Sequence, residues 1–238
     1  MNLVIDSGNT LFKAATFSGT QFEKKYSFSN KEELKGFLNH QTFDKAIVSS
    51  VSLDGHEMMS WINASGKFLL THLLPLPIQI KYTTPETLGV DRMAAACGVL
   101  DIFPERDSLV IDAGTCITYD FIDRNKNYWG GAISPGITMR FEALHTFTER
   151  LPLVSSRTGS DLIGNSTESC IRSGVLNGTV AEIEGIIQKY YQLYPSLGVV
   201  LCGGDTLFFE NKLKPTIFAA PDLVLSGLNR ILLHNAGL

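Results

Sequence analysis

Two stretches of this chain place an aspartate, a glycine and small polar residues directly behind an apolar run. The first is Leu3-Val4-Ile5-Asp6-Ser7-Gly8-Asn9-Thr10, and the second is Leu109-Val110-Ile111-Asp112-Ala113-Gly114-Thr115-Cys116. Such residues suit phosphate chemistry. Glycine lets the backbone approach an anion, so that successive N–H groups can cradle phosphate oxygens. An aspartate at a strand end can hold a hydrated Mg²⁺ or another cation that neutralises developing charge. Asn9, Thr10 and Thr115 add side-chain donors, and Lys13 can carry a positive charge to a terminal phosphate. One copy alone also reads as a hairpin with an Asx turn. Two matched copies, each behind an apolar strand, favour a nucleotide triphosphate gripped from both sides. The chain has neither a G-x-x-x-x-G-K-[ST] loop nor a G-x-G-x-x-G fingerprint, so the P-loop and Rossmann alternatives lose their main signals.

The elements that would position these turns repeat as well. After each turn comes a second β-like run (Leu11 to Phe17, Ile117 to Ile122) and a third (Gln21 to Phe28, Tyr128 to Ile133). The first half continues with helix-like Lys31 to Leu38, strand-like Lys45 to Ser50, helix-like Glu57 to Asn63 and strand-like Lys67 to Leu73. The second continues with a helical pattern from Val175 to Tyr194, strands at Gly198 to Cys202 and Ile217 to Ala219, and a closing amphipathic helix from Leu223 to His234. The expected fold class is therefore α/β, as two β-β-β-α-β-α halves, residues 1–104 and 105–238, around a nucleotide cleft.

Further glycine features stay open on turn chemistry alone. Gly203-Gly204, in Leu201-Cys202-Gly203-Gly204-Asp205, suits either an adenine ring lying on the backbone or a tight strand-to-helix turn. Gly130-Gly131 and Pro135-Gly136 are equally ambiguous. Between the halves runs Tyr82-Thr83-Thr84-Pro85-Glu86-Thr87-Leu88-Gly89-Val90-Asp91-Arg92, leading into an Ala-rich helix. Here Asp91 can accept the proton of an attacking hydroxyl, and Arg92 can bind a carboxylate with its two-pronged donors. Taken alone, Asp91 also reads as an acidic residue favoured at a helix start.

Composition narrows the class of partner. The 238 residues are 44% hydrophobic and 18% charged with a formal net charge of −4, as in an ordinary globular protein that binds a small molecule. No cluster of Lys and Arg suggests a nucleic-acid or membrane surface, and no apolar run reaches transmembrane length. Cys97, Cys116, Cys170 and Cys202 are widely spaced and read as buried free thiols. The absence of a basic segment followed by a long apolar core makes the cytoplasm the expected compartment.

The combination of D-S-G-N-T-L-F-K, L-G-V-D-R, D-A-G-T-C-I-T-Y-D, G-G-A-I-S-P-G and C-G-G-D, in this order along essentially the whole chain, resembles the type III pantothenate kinases. L-G-V-D-R between two Asp-x-Gly motifs is its most specific part; a lone D-x-G-T is shared by the wider actin, sugar-kinase and heat-shock chaperone superfamily. The resemblance implies an actin-like (ribonuclease H-like) fold and ATP-dependent phosphorylation of pantothenate, the first step of coenzyme A biosynthesis. It implies ATP binding along Asp6, Ser7, Gly8, Asn9, Thr10, Leu11, Phe12 and Lys13 and at Thr115, with Mg²⁺ near Asp6 through the nucleotide. Asp112 matches a monovalent-cation position (K⁺ or NH₄⁺), and Asp91 matches the general base. Tyr82, Gly89, Val90, Asp91, Arg92 and Thr167 match the pantothenate pocket, with Thr167 reaching a partner's site across a homodimer interface. Ala94-Ala95-Ala96 departs from the family, which often carries an Asn shortly after the D-R pair, and Cys116 stands where a small residue such as Ala is common. A kinase for another hydroxy acid or sugar, and a non-catalytic ATP-binding regulator of the same fold, are the alternatives.

Overall fold

In the computed structural model, which describes residues 1–155, 161–213 and 217–237, the run Leu3-Val4-Ile5 lies at the middle of β1 (Asn2–Ser7), every residue of which is buried. β1 is a central strand whose residues are buried on both faces of the sheet, so its middle is apolar throughout. It pairs antiparallel with β2 (Phe12–Ser18), which pairs with β3 (Gln21–Phe28). After α1 (Lys31–Leu38), β4 (Phe43–Ser50) runs parallel to β1 on its other side. α2 (Gly55–Ser60) then leads to β5 (Ala64–Leu69), parallel to β4, giving the order β3-β2-β1-β4-β5. Caps set the helix starts. Asn30 accepts from the Glu33 N–H at 2.9 Å, and Asp54 accepts from the His56 N–H at 2.9 Å. The Asp54 cap explains why α2 begins at Gly55, ahead of the expected Glu57.

Next come β6 (Gln79–Ile80), a short 3₁₀ turn (Pro85–Thr87) and α3 (Val90–Ile102). The second series is β7 (Ser108–Ala113), β8 (Cys116–Ile122), β9 (Asn127–Pro135), α4 (Ile137–Thr146), α5 (Thr167–Leu193), β10 (Gly198–Cys202), α6 (Thr206–Glu210), β11 (Ile217–Ala219) and α7 (Leu223–Asn235). Its sheet has the order β11-β10-β7-β8-β9-β6. Without the added β6, this is the order of the first sheet: third, second, first, fourth and fifth strands of the series. The repeat seen in the two Asp-Gly turns is thus a repeat of topology.

Two features of the second series depart from the expected pattern. Helix α4 was not expected; it follows a Pro-Gly pair and buries only Ile137 and Phe141, one turn apart. Helix α5 begins at Thr167, ahead of the expected Val175, because Gly174, Gly178 and buried Ser173 interrupt the apolar period in its first half. Its start is secured by Ser166 and Ser169, which satisfy one another's backbone N–H groups.

The halves expected from the sequence repeat are residues 1–104 and 105–238; packing forms two compact units. One compact unit comprises Met1–Ser108, Asp120–Gly130 and Asp222–Leu238, and the other comprises Leu109–Tyr119 and Gly131–Pro221. Within the first unit, α7 crosses α3 at close range. A Cβ on Gly227 would overlap the Ala94 carbonyl, and one on Gly98 would lie 2.6 Å from the Leu223 carbonyl. Ala94, Ala95 and Ala96 are all at most 1% exposed. Ala94 and Gly98, one turn apart on α3, are small where the α7 backbone passes over them.

Candidate active site

In the first unit, the end of β1 and the start of α3 bring acidic groups together. Asp6, the penultimate residue of β1, is 8% exposed and stands opposite Lys13 across the β1–β2 ladder. Ser49 on β4 donates its hydroxyl to Asp6 Oδ1 at 3.3 Å. Burial first, and then the Asp91 charge, push the Asp6 carboxyl up to about 6; Lys13 and the Ser49 hydrogen bond oppose that shift. A carboxyl so destabilised as an anion suits a site whose full complement of charge includes a cation. Beyond it the turn closes through the Gly8 N–H and the Leu11 carbonyl, 3.3 Å apart. Ser7 is buried, its hydroxyl 2.8 Å from that of Ser52, and the half-buried Phe12 packs on the core. Asn9, Thr10 and Leu11 are exposed, and Lys13 is half-buried.

Helix α3 begins without a capping side chain, at Gly89. Asp91 supplies the missing acceptor from within the first turn, its Oδ1 taking the Arg92 N–H at 2.8 Å. This contact orients the carboxylate and explains Gly89, since a Cβ there would stand 2.5 Å from Asp91 Oδ1. Val90 is half-buried and lines a cavity of about 240 Å³ together with Ser50, Thr71, His72, Glu86 and Leu88.

Arg92 is 8% exposed and turns toward Asp120 on β8, which is fully buried. Nε lies 2.9 Å and Nη2 2.7 Å from Asp120 Oδ1, and the Tyr128 hydroxyl donates to the same oxygen at 2.6 Å. Burial works against the Arg92 charge, and Asp120 more than offsets it, so the guanidinium's pKa is raised. Burial and then Asp120 push the Tyr128 phenol up as well, keeping it a donor. Tyr82 is half-buried with its ring centre 6.3 Å from that of Tyr128. It also packs on Gly130, whose φ of +91° favours glycine and where a Cβ would come within 2.8 Å of the Tyr82 ring.

In the second unit, Asp112 is half-buried near the end of β7, and Thr115 is exposed in the turn that follows. Two glycine segments hold this turn. Gly136 donates its N–H to the Thr115 carbonyl at 3.0 Å, and a Cβ on Gly136 would overlap the Gly114 and Thr115 carbonyls. Gly203, with φ +92°, lies against the Asp112 carboxylate and the Ala113 carbonyl, and Asp205 N–H donates to that carbonyl at 2.9 Å. The Gly203-Gly204 pair is therefore a strand-to-helix turn packed onto the second Asp-Gly motif. Arg140 secures the neighbouring segment, donating from Nε to the Pro135 carbonyl at 2.8 Å and from Nη2 to Ser134 Oγ at 2.8 Å and Glu182 Oε2 at 2.5 Å. Thr167 is the exposed first residue of α5.

Of the candidate residues, the structure brings both Lys13 and Asp91 within electrostatic reach of Asp6 and sets Arg92 beside Asp91 along α3. Sequence reasoning missed Ser49, Asp120 and Tyr128. Asp120 closes the D-A-G-T-C-I-T-Y-D motif, and its charge, the one charge in β8, was the available signal. Ser49 gave none. The cysteines need a correction. Cys97 and Cys202 are buried, but Cys116 is half-buried and Cys170 is exposed in the first turn of α5; all four are free thiols. Among the described residues no group of three or more His, Cys, Asp or Glu side chains could hold a metal ion, and no helix is long and apolar enough to cross a membrane.

Comparison with solved structures and curated proteins fits this geometry. The chain superposes on a conserved Baf family protein from Campylobacter jejuni with a TM-score of 0.66 at 22% identity, covering 99% of this chain and 100% of that one. It superposes on a ROK family protein from Streptococcus pneumoniae with a TM-score of 0.50 at 13% identity, covering 99% of both chains. The fold is the duplicated α/β architecture of the actin-like sugar kinases. Residues 2–189 match the family model of type III pantothenate kinase. The type III pantothenate kinase of Bacteroides fragilis is 47% identical over all of this chain and 99% of its own length, and that of Christiangramia forsetii is 42% identical over 99% of each. The chain belongs to the type III pantothenate kinase family.

Proposed function

We propose that this enzyme transfers the γ-phosphoryl group of ATP to the primary hydroxyl of pantothenate, giving 4'-phosphopantothenate in the first step of coenzyme A biosynthesis, with Asp91 as the general base. The observation that carries the residue assignment is the meeting of Asp6, Lys13 and Asp91 in one unit, with Asp91 held in orientation by its own helix. Phosphoryl transfer passes through a loose transition state, so positioning and charge neutralisation matter more than base strength. Asp91 orients the substrate hydroxyl and takes its proton late. Lys13 offsets phosphate charge, and Gly8 gives the anion access to the backbone. Arg92 receives the pantothenate carboxylate with the donors that Asp120 does not occupy, and Tyr82 and Val90 supply apolar walls.

Mg²⁺ brought by the nucleotide would lie near Asp6 and supply the positive charge that this buried carboxyl calls for. Asp112 is the proposed contact of a monovalent cation, K⁺ or NH₄⁺; its carboxylate lies beside backbone carbonyl oxygen, the donor type that such cations take. Thr115 is the proposed contact of the nucleotide in the second unit. We further propose a cytoplasmic homodimer in which Thr167 completes the partner's pantothenate site.

Incubation of labelled pantothenate with ATP, Mg²⁺ and K⁺, followed by mass analysis, tests the reaction. The expected product is pantothenate heavier by one phosphoryl group. ATP consumption without that product would move the assignment to another acceptor.

A further inference from the structure

The Arg92–Asp120–Tyr128 cluster is more elaborate than a binding arginine requires. An arginine that only needed to meet a carboxylate could extend from the surface. Arg92 is buried, and both of its hydrogen bonds from Nε and Nη2 go to Asp120 Oδ1. A buried guanidinium without an anion is strongly unfavourable before substrate arrives, and a fully buried carboxylate is equally unfavourable alone. Each group makes the other tenable. Because the guanidinium is planar with five N–H donors, holding its Nε–Nη2 edge on Asp120 fixes the direction of the other three. Tyr128, also buried, donates to the same oxygen and keeps Asp120 from turning away. The ring of Tyr82 then packs beside Tyr128 and against Gly130.

We infer that Asp120, braced by Tyr128, is a positioning residue for substrate selection: it holds Arg92 in the one orientation that presents its free edge to the pantothenate carboxylate. This rests on the reading of Arg92 as the carboxylate-binding group. Asp120 acts through Arg92 and touches no reacting atom. Its loss should therefore weaken acceptor binding while leaving ATP recognition, which belongs to other residues, intact.

The test measures kcat and the separate KM values for pantothenate and ATP in Arg92→Ala, Asp120→Asn, the double variant and Tyr128→Phe. Loss of a charge-assisted contact predicts a rise of about tenfold or more in pantothenate KM for Arg92→Ala and for Asp120→Asn, with ATP KM within about twofold of wild type. The double variant should be no worse than the poorer single variant, because Asp120 has nothing to position once Arg92 is gone. An Asp120→Asn protein with lowered melting temperature but unchanged pantothenate KM, beside an Arg92→Ala protein with raised KM, would overturn the inference and leave the Arg92 assignment standing. Unchanged pantothenate KM in Arg92→Ala would overturn the Arg92 assignment itself, and the inference with it. If Asp120→Asn does not fold, Tyr128→Phe decides: a several-fold rise in pantothenate KM supports the inference, and none contradicts it.

Discussion

Asp6 lies buried at the end of β1, where burial and Asp91 hold its carboxyl at about 6. That value lies above the ~4 of an unfolded chain, so the unfolded state gives up the proton more readily. The contribution of Asp6 to stability is therefore fully present below about pH 4 and is lost as the pH rises through about 6. In ligand-free protein, Asp6→Asn should remove this dependence and raise stability above pH 7 by roughly 3 kcal/mol, although it removes a group proposed to serve the nucleotide. Thermal melts of both proteins between pH 4.5 and 8 check this; parallel curves would contradict it. A methyl group in Gly89→Ala would displace Asp91 Oδ1, so kcat should fall about tenfold or more while ATP KM changes little. Steady-state kinetics at saturating ATP would show it, and an unchanged kcat would mean that the Asp91 orientation is not critical. Asp6, Asp91 and Asp112 stand out in the sequence because each belongs to a motif. Ser49, which reaches Asp6 across a strand ladder, was invisible because pairing partners far apart in sequence leave no local pattern.

Elements followed a similar rule. Gln21–Phe28, Lys31–Leu38, Gly198–Cys202 and Ile217–Ala219 have the bounds that patterning alone suggests, because each has a clean period or an abrupt turn at its ends. The first half of α5 was hidden by its glycines, and α4 by having only two buried anchors. The α3–α7 crossing was also hidden, since the close approach of two helix backbones is a tertiary event. It carries its own prediction. Gly227→Val should destabilise the protein by about 2 kcal/mol or more, because the new side chain meets the Ala94 carbonyl directly. Denaturant unfolding measures this, and a loss below about 0.5 kcal/mol would show that the helices can separate without cost. At the second Asp-Gly turn, Gly203→Ala would strain a left-handed backbone and press on Asp112. ATP affinity should fall several-fold with pantothenate KM nearly unchanged; equal losses for both substrates would point to general damage instead.

At the scale of the whole molecule, the duplication was visible in two eight-residue strings and reappears as a common strand order. The grouping of α7 with the first series of strands was not visible, because it depends on which helix covers which sheet. The proposed homodimer predicts a particle in solution of about twice 26.1 kDa. Sedimentation equilibrium at micromolar concentration would give that mass, and a monomer retaining full activity would remove Thr167 from the proposed site. The proposed chemistry turns on Asp91, and its role is measured by pantothenate-dependent ADP release by Asp91→Asn, read beside ATP and pantothenate binding to the same variant. Both substrates should bind the variant nearly as they bind wild type, with a loss of turnover of about 100-fold or more. Turnover close to wild type in the folded variant would contradict the assignment of Asp91 as the general base.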